Sequence, residues 1–184
     1  MKRIENYNEV KPQNGYFDRP PAGGYIIEIL KAEDVPMNAQ TGKGDYLRIY
    51  YDICHGDYAG YYQKQHERFG GEYNTSFIRS YREKLLGMFK HFTNCIEESN
   101  EPYKWNWDES TLVGKYLGVT LQEEEYPKRD GGVGVKLTVK DIKTVEQIGG
   151  GDYTIPPRKE LKGAPAISTP IPQGFEAIDE DCPF

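Results

Sequence analysis

The sequence predicts a mainly β domain: a small five-stranded barrel with one helix between strands 3 and 4, followed by a C-terminal tail without fixed structure. Three observations predict it. Runs of β-branched and aromatic residues recur between Gly- and Pro-rich turns. One long stretch steps its apolar residues by four and three, the spacing of a helix face. After Ile148 the texture changes to Gly and Pro with almost no large apolar side chains.

Residues 1–24 read as an irregular arm, broken by Pro12, Gly15, Pro20, Pro21, Gly23 and Gly24 and anchored only by Tyr16 and Phe17. The first strand is predicted over 25–31, rich in Ile, and residues 38–44 read as a polar hairpin loop. The second strand, 45–54, has the clearest alternation. Leu47, Ile49, Tyr51 and Ile53 fall on one face; Tyr46, Arg48, Tyr50 and Asp52 fall on the other. A turn at 55–57 leads to a predicted third strand, 58–69, with Tyr62, Lys64, His66 and Arg68 alternating on one face.

The helix is predicted over about 76–98, where Tyr81, Leu85, Met88, Phe92 and Cys95 form an apolar stripe. Gly87 inside it costs about 1 kcal/mol relative to Ala, so close packing is expected there. Residues 101–110 form a loop carrying Trp105 and Trp107. Strands over 112–123 and 133–145 follow, joined by a tip that holds Lys128 and Arg129. This order is that of an OB-fold, a partly open barrel whose outer face on strands 2 and 3 binds oligonucleotides together with the loops joining strands 1–2 and 4–5. The domain therefore spans 25–148, a flexible Gly/Pro linker 149–178, and an acidic tip 179–184.

Composition fits this division. A chain of 184 residues with 37% hydrophobic residues suits one domain and an appendage. The net charge is -6, and residues 149–184 carry half of it with a fifth of the length. Neither part has the basic excess of a duplex-DNA binder. Cys54, Cys95 and Cys182 are odd in number and widely spaced, which argues for reduced thiols and against a disulfide framework. No run of about 20 apolar residues and no apolar leader is visible, so the protein is expected to be soluble and cytoplasmic, with no membrane partner.

Tyr is the unusual entry in the composition, 15 residues against 7 Phe and 2 Trp. A protein that holds single-stranded DNA without reading sequence needs cations for phosphates and flat rings for bases. Tyr46, Arg48 and Tyr50 on one strand, with Tyr62, Lys64, His66 and Arg68 on the next, would interleave both on one surface. Lys128 and Arg129 would close over it as a lid. Trp105 and Trp107 would either plug the barrel end or stack on DNA. The plainer reading of each tyrosine is a half-buried strand residue favoured by β propensity; the alternation with cations favours the binding face.

The end of the chain, Asp179-Glu180-Asp181-Cys182-Pro183-Phe184, resembles the acidic tip of bacterial and phage single-stranded-DNA-binding proteins. In that family an OB domain is followed by a disordered linker and a tip that docks on replication and repair enzymes, and the same layout runs here from Tyr25 to Phe184. Cys182 stands where the family has an aliphatic residue, and the Tyr-rich strands look more like phage or mobile-element versions. The resemblance implies a non-enzymatic protein of DNA replication, recombination and repair. It would bind single-stranded DNA, recruit partner proteins through Asp179 to Phe184, and need no cofactor. The family runs from monomers to tetramers, so a homo-oligomer stays open. Physically, the tip offers a ring for an apolar pocket, a terminal carboxylate, and acids for a basic rim.

Other readings are weaker. A zinc site from Cys54, His55, His66, His91 and Cys95 lacks paired ligand spacing. Glu123, Glu124 and Glu125 read as a solvated strand end. Gly131-Gly132-Val133-Gly134 lacks the Lys of a phosphate-binding loop. The main rival is a protein-interaction adaptor whose barrel binds no nucleic acid, favoured by the barrel's mild negative charge. A metal-dependent nuclease has no compact motif behind it.

Overall fold

A computed structural model of the chain describes residues 19–161, apart from Asn74 and Asp130. Most of the predicted arm, residues 162–178 of the predicted linker, and the acidic tip lie outside the described residues. Five strands form one antiparallel sheet: β1 (Gly23–Val35), β2 (Tyr46–Ile53), β3 (Ser76–Ser80), β4 (Tyr116–Pro127) and β5 (Val133–Lys143). Their spatial order is β3-β2-β1-β4-β5. β1 is the hub, pairing with β2 along its second part and with β4 along its first. A bulge between Ile29 and Lys31 interrupts its ladder with β2, just past the stretch where Ile27 and Glu28 pair with both neighbours.

The period-2 reading of β2 holds. Leu47, Ile49, Tyr51 and Ile53 are buried, and with Ile27, Ile29, Leu117, Val119 and Leu121 they form the core. Phe77 of β3 and Ile142 of β5 complete it from the two edges. The edges, β3 and β5, line the same two clefts. Ser76 faces 135–138 in one, and Arg79 faces 140–143 in the other. The sheet is therefore curved, with β3 and β5 running in the same direction on either side of a seam. No β3–β5 ladder is formed among the described residues.

Two elements differ from expectation. Residues 61–69, predicted within the third strand, form helix α1 (Tyr61–Phe69). Alternation among polar residues says nothing about which face is buried, and Gln63, Lys64, Gln65, Glu67 and Arg68 are good helix formers. The helix is started from a distance. The buried Asp52 carboxylate accepts the backbone N–H groups of Tyr62 (3.0 Å) and Gln63 (2.9 Å), two of the donors that a helix N-terminus leaves unpaired. Gly60 enters and Gly70 leaves the helix with positive φ, which suits glycine. Asp52, expected on the open face of β2, is thus turned to a structural use.

The second difference is the true third strand. Residues 76–80, expected in the long helix, are β3, and the helix itself is shorter, α2 (Leu86–Ser99). Its buried face holds Phe89, Phe92, Thr93, Cys95 and Ile96, whereas Leu85 and Met88 of the expected stripe are exposed. The packed face is rotated from the expected one. A Cβ at Gly87 meets nothing within 4 Å, so close packing does not explain that glycine.

Beyond β5 a short helix, α3 (Val145–Gly149), is closed by a capping box between Thr144 and Gln147. Residues 150–161 then run back to β4. Lys159 bridges Glu124 in parallel, with N–H to Glu123 O at 2.8 Å and O from Glu125 N at 2.9 Å. The Glu run is not free in water. Glu123 pairs with Arg19 (2.7 Å), Glu124 with Lys136 and Lys159, and Glu125 with Arg158 (2.8 Å). Both flanking segments of the domain are thereby tied to one hairpin. No helix among the described residues is long and apolar enough to cross a membrane.

Candidate functional site

The outer side of β1, β2 and β3 carries the expected ring-and-cation surface in part. Tyr46, Arg48 and Tyr50 are half-buried, on the side opposite the core residues. The ladder places them between Val35, Glu33 and Lys31 of β1 and Ser80, Ile78 and Ser76 of β3. Arg48 Nη2 reaches the Tyr46 hydroxyl at 3.4 Å, and its guanidinium carbon lies 6.0 Å from that ring centre. Lys31 Nζ lies 5.5 Å from the Tyr50 ring centre. The Tyr50 hydroxyl donates to Glu33 at 3.0 Å. Lys31 and that hydroxyl hold the Glu33 carboxyl below the usual carboxylate range. The result is two rings flanked by cations, with one acid, Glu33, opposite Arg48 and ion-paired to Lys31.

Lys31 and Ile78 were not predicted. Ile78 is 51% exposed and sits opposite Arg48. Both enter the surface through strand register, which the β2 pattern alone does not carry. Two loops flank the face. Loop 36–45 leads directly into Tyr46 and is held by Arg82, whose Nη2 donates to Gly42 O (2.7 Å) and Gly44 O (3.0 Å). The other loop is the β4–β5 tip. Ser76, opposite Tyr50, shares a cleft with 135–138, so the tip lies beyond the Tyr50 end. Lys128 and Arg129 are exposed on it.

The other expected residues take different places. Tyr62, Lys64, His66 and Arg68 lie on α1 and do not pair with β2; β3 holds that position. Tyr62 is turned inward, 5.7 Å from the Tyr51 ring centre. Burial pushes its phenol pKa up, and its hydroxyl has no hydrogen-bond partner among the described residues. Lys64 donates to Ala59 O at 2.8 Å. His66 packs edge-on to Tyr73 at 5.6 Å, and the Arg68 guanidinium lies over Phe69 at 5.5 Å. The spacing of two residues that would align these side chains on a strand splays them around a helix.

Trp105 and Trp107 take different places. Trp105 is half-buried against Phe89 (6.2 Å) and the core. Trp107 is 73% exposed and stacks on Phe89 at 6.1 Å and 21°. Phe89 in turn meets Tyr81, the residue after β3, whose hydroxyl donates to Asp34 at 2.7 Å. Trp107 is thus placed beyond the Tyr46 end of the face.

His91 and Cys95 do approach each other, with Sγ 3.6 Å from Nε2, but His91 Nε2 also lies 3.1 Å from Ile142 O. No third ligand joins them among the described residues. Burial pushes the Cys54 and Cys95 thiols up to about 11. The thiolate is the reactive form, so both are poor nucleophiles at neutral pH. In a Cys182→Ser variant, Ellman's reagent is expected to label neither thiol promptly at neutral pH and both at once in denaturant. Prompt native labelling would contradict the burial described. No protein-family model matches the sequence, and no curated protein matches it.

Proposed function

We propose that this chain binds single-stranded DNA without sequence preference, through the outer face of β1–β3 on an OB-type barrel. It performs no chemistry on the strand and recruits other proteins of replication and recombination through the tip at Asp179 to Phe184. The observation that carries the reading is the open row Tyr46, Arg48, Tyr50 with Lys31 beside it. Rings offer each base a flat partner regardless of its identity, and the cations track the phosphates. A duplex hides its base faces, so the same surface has little to offer it.

The strand order supports the barrel reading, because β1 pairs with both β2 and β4 while the edge strands β3 and β5, which run in the same direction, line common clefts without a ladder between them. The flanking loops, with exposed Lys128 and Arg129 at one end and Trp107 at the other, extend the path. The expected result is tight binding of fluorescent oligo-dT, weak binding of duplex, and a log–log salt slope of about -0.7 per phosphate contact. Equal affinity for both, or none for oligo-dT, would overturn the reading and favour the protein-binding adaptor.

A further inference from the structure

We infer that the seam between β3 and β5 is a phosphate-holding extension of this face, with Arg79, Lys140 and Lys143 as the cations that grip the strand; the inference rests on the single-stranded-DNA reading above. Their cleft has a volume of about 470 Å³ and is walled by Met88 and His91 of α2. Three observations carry the assignment.

The first is the state of Arg79. Its side chain points to the core side of β3, and its guanidinium lies over the Phe77 ring at 4.9 Å. One donor goes to Ile78 O at 2.8 Å. No carboxylate among the described residues comes within ion-pair distance. A guanidinium has five N–H donors in a fixed fork, and a withdrawn cation without a counter-charge is costly. Burial lowers its pKa, and only Asp141 acts against this, from a distance.

The second observation is the grouping of like charge. Ion pairs hold Arg19, Lys31, Lys104, Lys136, Arg158 and Lys159. Arg79, Lys140 and Lys143 share one cleft and none of them is in an ion pair among the described residues. Asp141 is the one acid in the cleft wall. His91 is already occupied by Ile142 O.

The third is continuity. Arg79 follows Ile78, which lies opposite Arg48 on the outer face. β3 is an edge strand, so a chain crossing the outer face passes around one strand edge to reach the cleft. Charge-assisted contacts from Arg and Lys to phosphate oxygens are the strong and sequence-blind kind.

The test is the salt dependence of oligo-dT binding by the full chain. Lys140→Gln with Lys143→Gln should lower the magnitude of the log–log slope by about 1.4, at about 0.7 per lost contact. Arg79→Gln should lower it by a further ~0.7. Lys84→Gln with Lys90→Gln removes the same charge from exposed positions elsewhere and should leave the slope unchanged. The lysine pairs are exposed or half-buried, so they report even if Arg79→Gln fails to fold. An unchanged slope in the seam variants, with oligo-dT still bound, overturns the inference alone. An equal loss in both lysine pairs assigns the effect to net charge and also overturns it. Absence of oligo-dT binding by the unaltered protein overturns the inference together with the reading beneath it.

Discussion

Asp52→Ala is expected to destabilise the fold by about 3 kcal/mol, since it leaves backbone donors without an acceptor at a buried position. Asp52 is 5% exposed, and its carboxylate accepts three N–H groups, from Ile53 (2.7 Å), Tyr62 (3.0 Å) and Gln63 (2.9 Å). Two of these belong to the first turn of α1, where the helix dipole also favours a negative charge. No other side chain among the described residues caps that end. For a domain of this size the loss should lower Tm by roughly 6–12 °C. Asp52→Asn keeps one acceptor oxygen and should cost less, while Asp57→Ala, exposed in the same loop, should change little. A loss below about 1 kcal/mol in Asp52→Ala would mean that the first turn of α1 finds its acceptors elsewhere.

The same residue shows where sequence reasoning stops. β2 was legible because its inner positions, Leu47, Ile49, Tyr51 and Ile53, are apolar and its outer ones are not; a local period of two needs no knowledge of partners. Asp52 fits that period but is buried, because a helix nine residues downstream needs its charge. The 61–69 segment was misread for the converse reason. It contains only two residues that bury toward the core, Tyr61 and Tyr62, and adjacent residues cannot define a period. β3 was absorbed into the helix because Phe77 is its one buried residue. The strand total of five survived because one strand lost and one gained cancel. In the candidate site, Tyr46, Arg48 and Tyr50 could be found from β2 alone. Lys31 and Ile78 could not, since each joins the surface through pairing register across the chain; Arg79 reaches its cleft only because β3 and β5 lie on either side of the seam.

Tyr46→Ala combined with Tyr50→Ala should weaken oligo-dT binding by at least ~30-fold, taking about 1–3 kcal/mol for each stacked base. Neither ring is part of the core, so the variant should keep its fold, and loss of binding can be assigned to the face. Neither side chain brings a cation to a phosphate, so their removal should lower affinity at every salt concentration and leave the log–log slope where it was. Arg48→Gln should do the opposite, reducing the slope by about 0.7 with the rings intact. Tyr50→Phe separates the ring from its hydroxyl. That hydroxyl is bound to Glu33, not offered to solvent, so its loss removes an internal contact and leaves the stacking surface. Near-normal binding by Tyr50→Phe beside a large loss in the alanine pair is the signature of stacking. If the alanine pair binds oligo-dT as well as the unaltered protein does, the rings are strand residues favoured by β propensity, and the face does not hold bases.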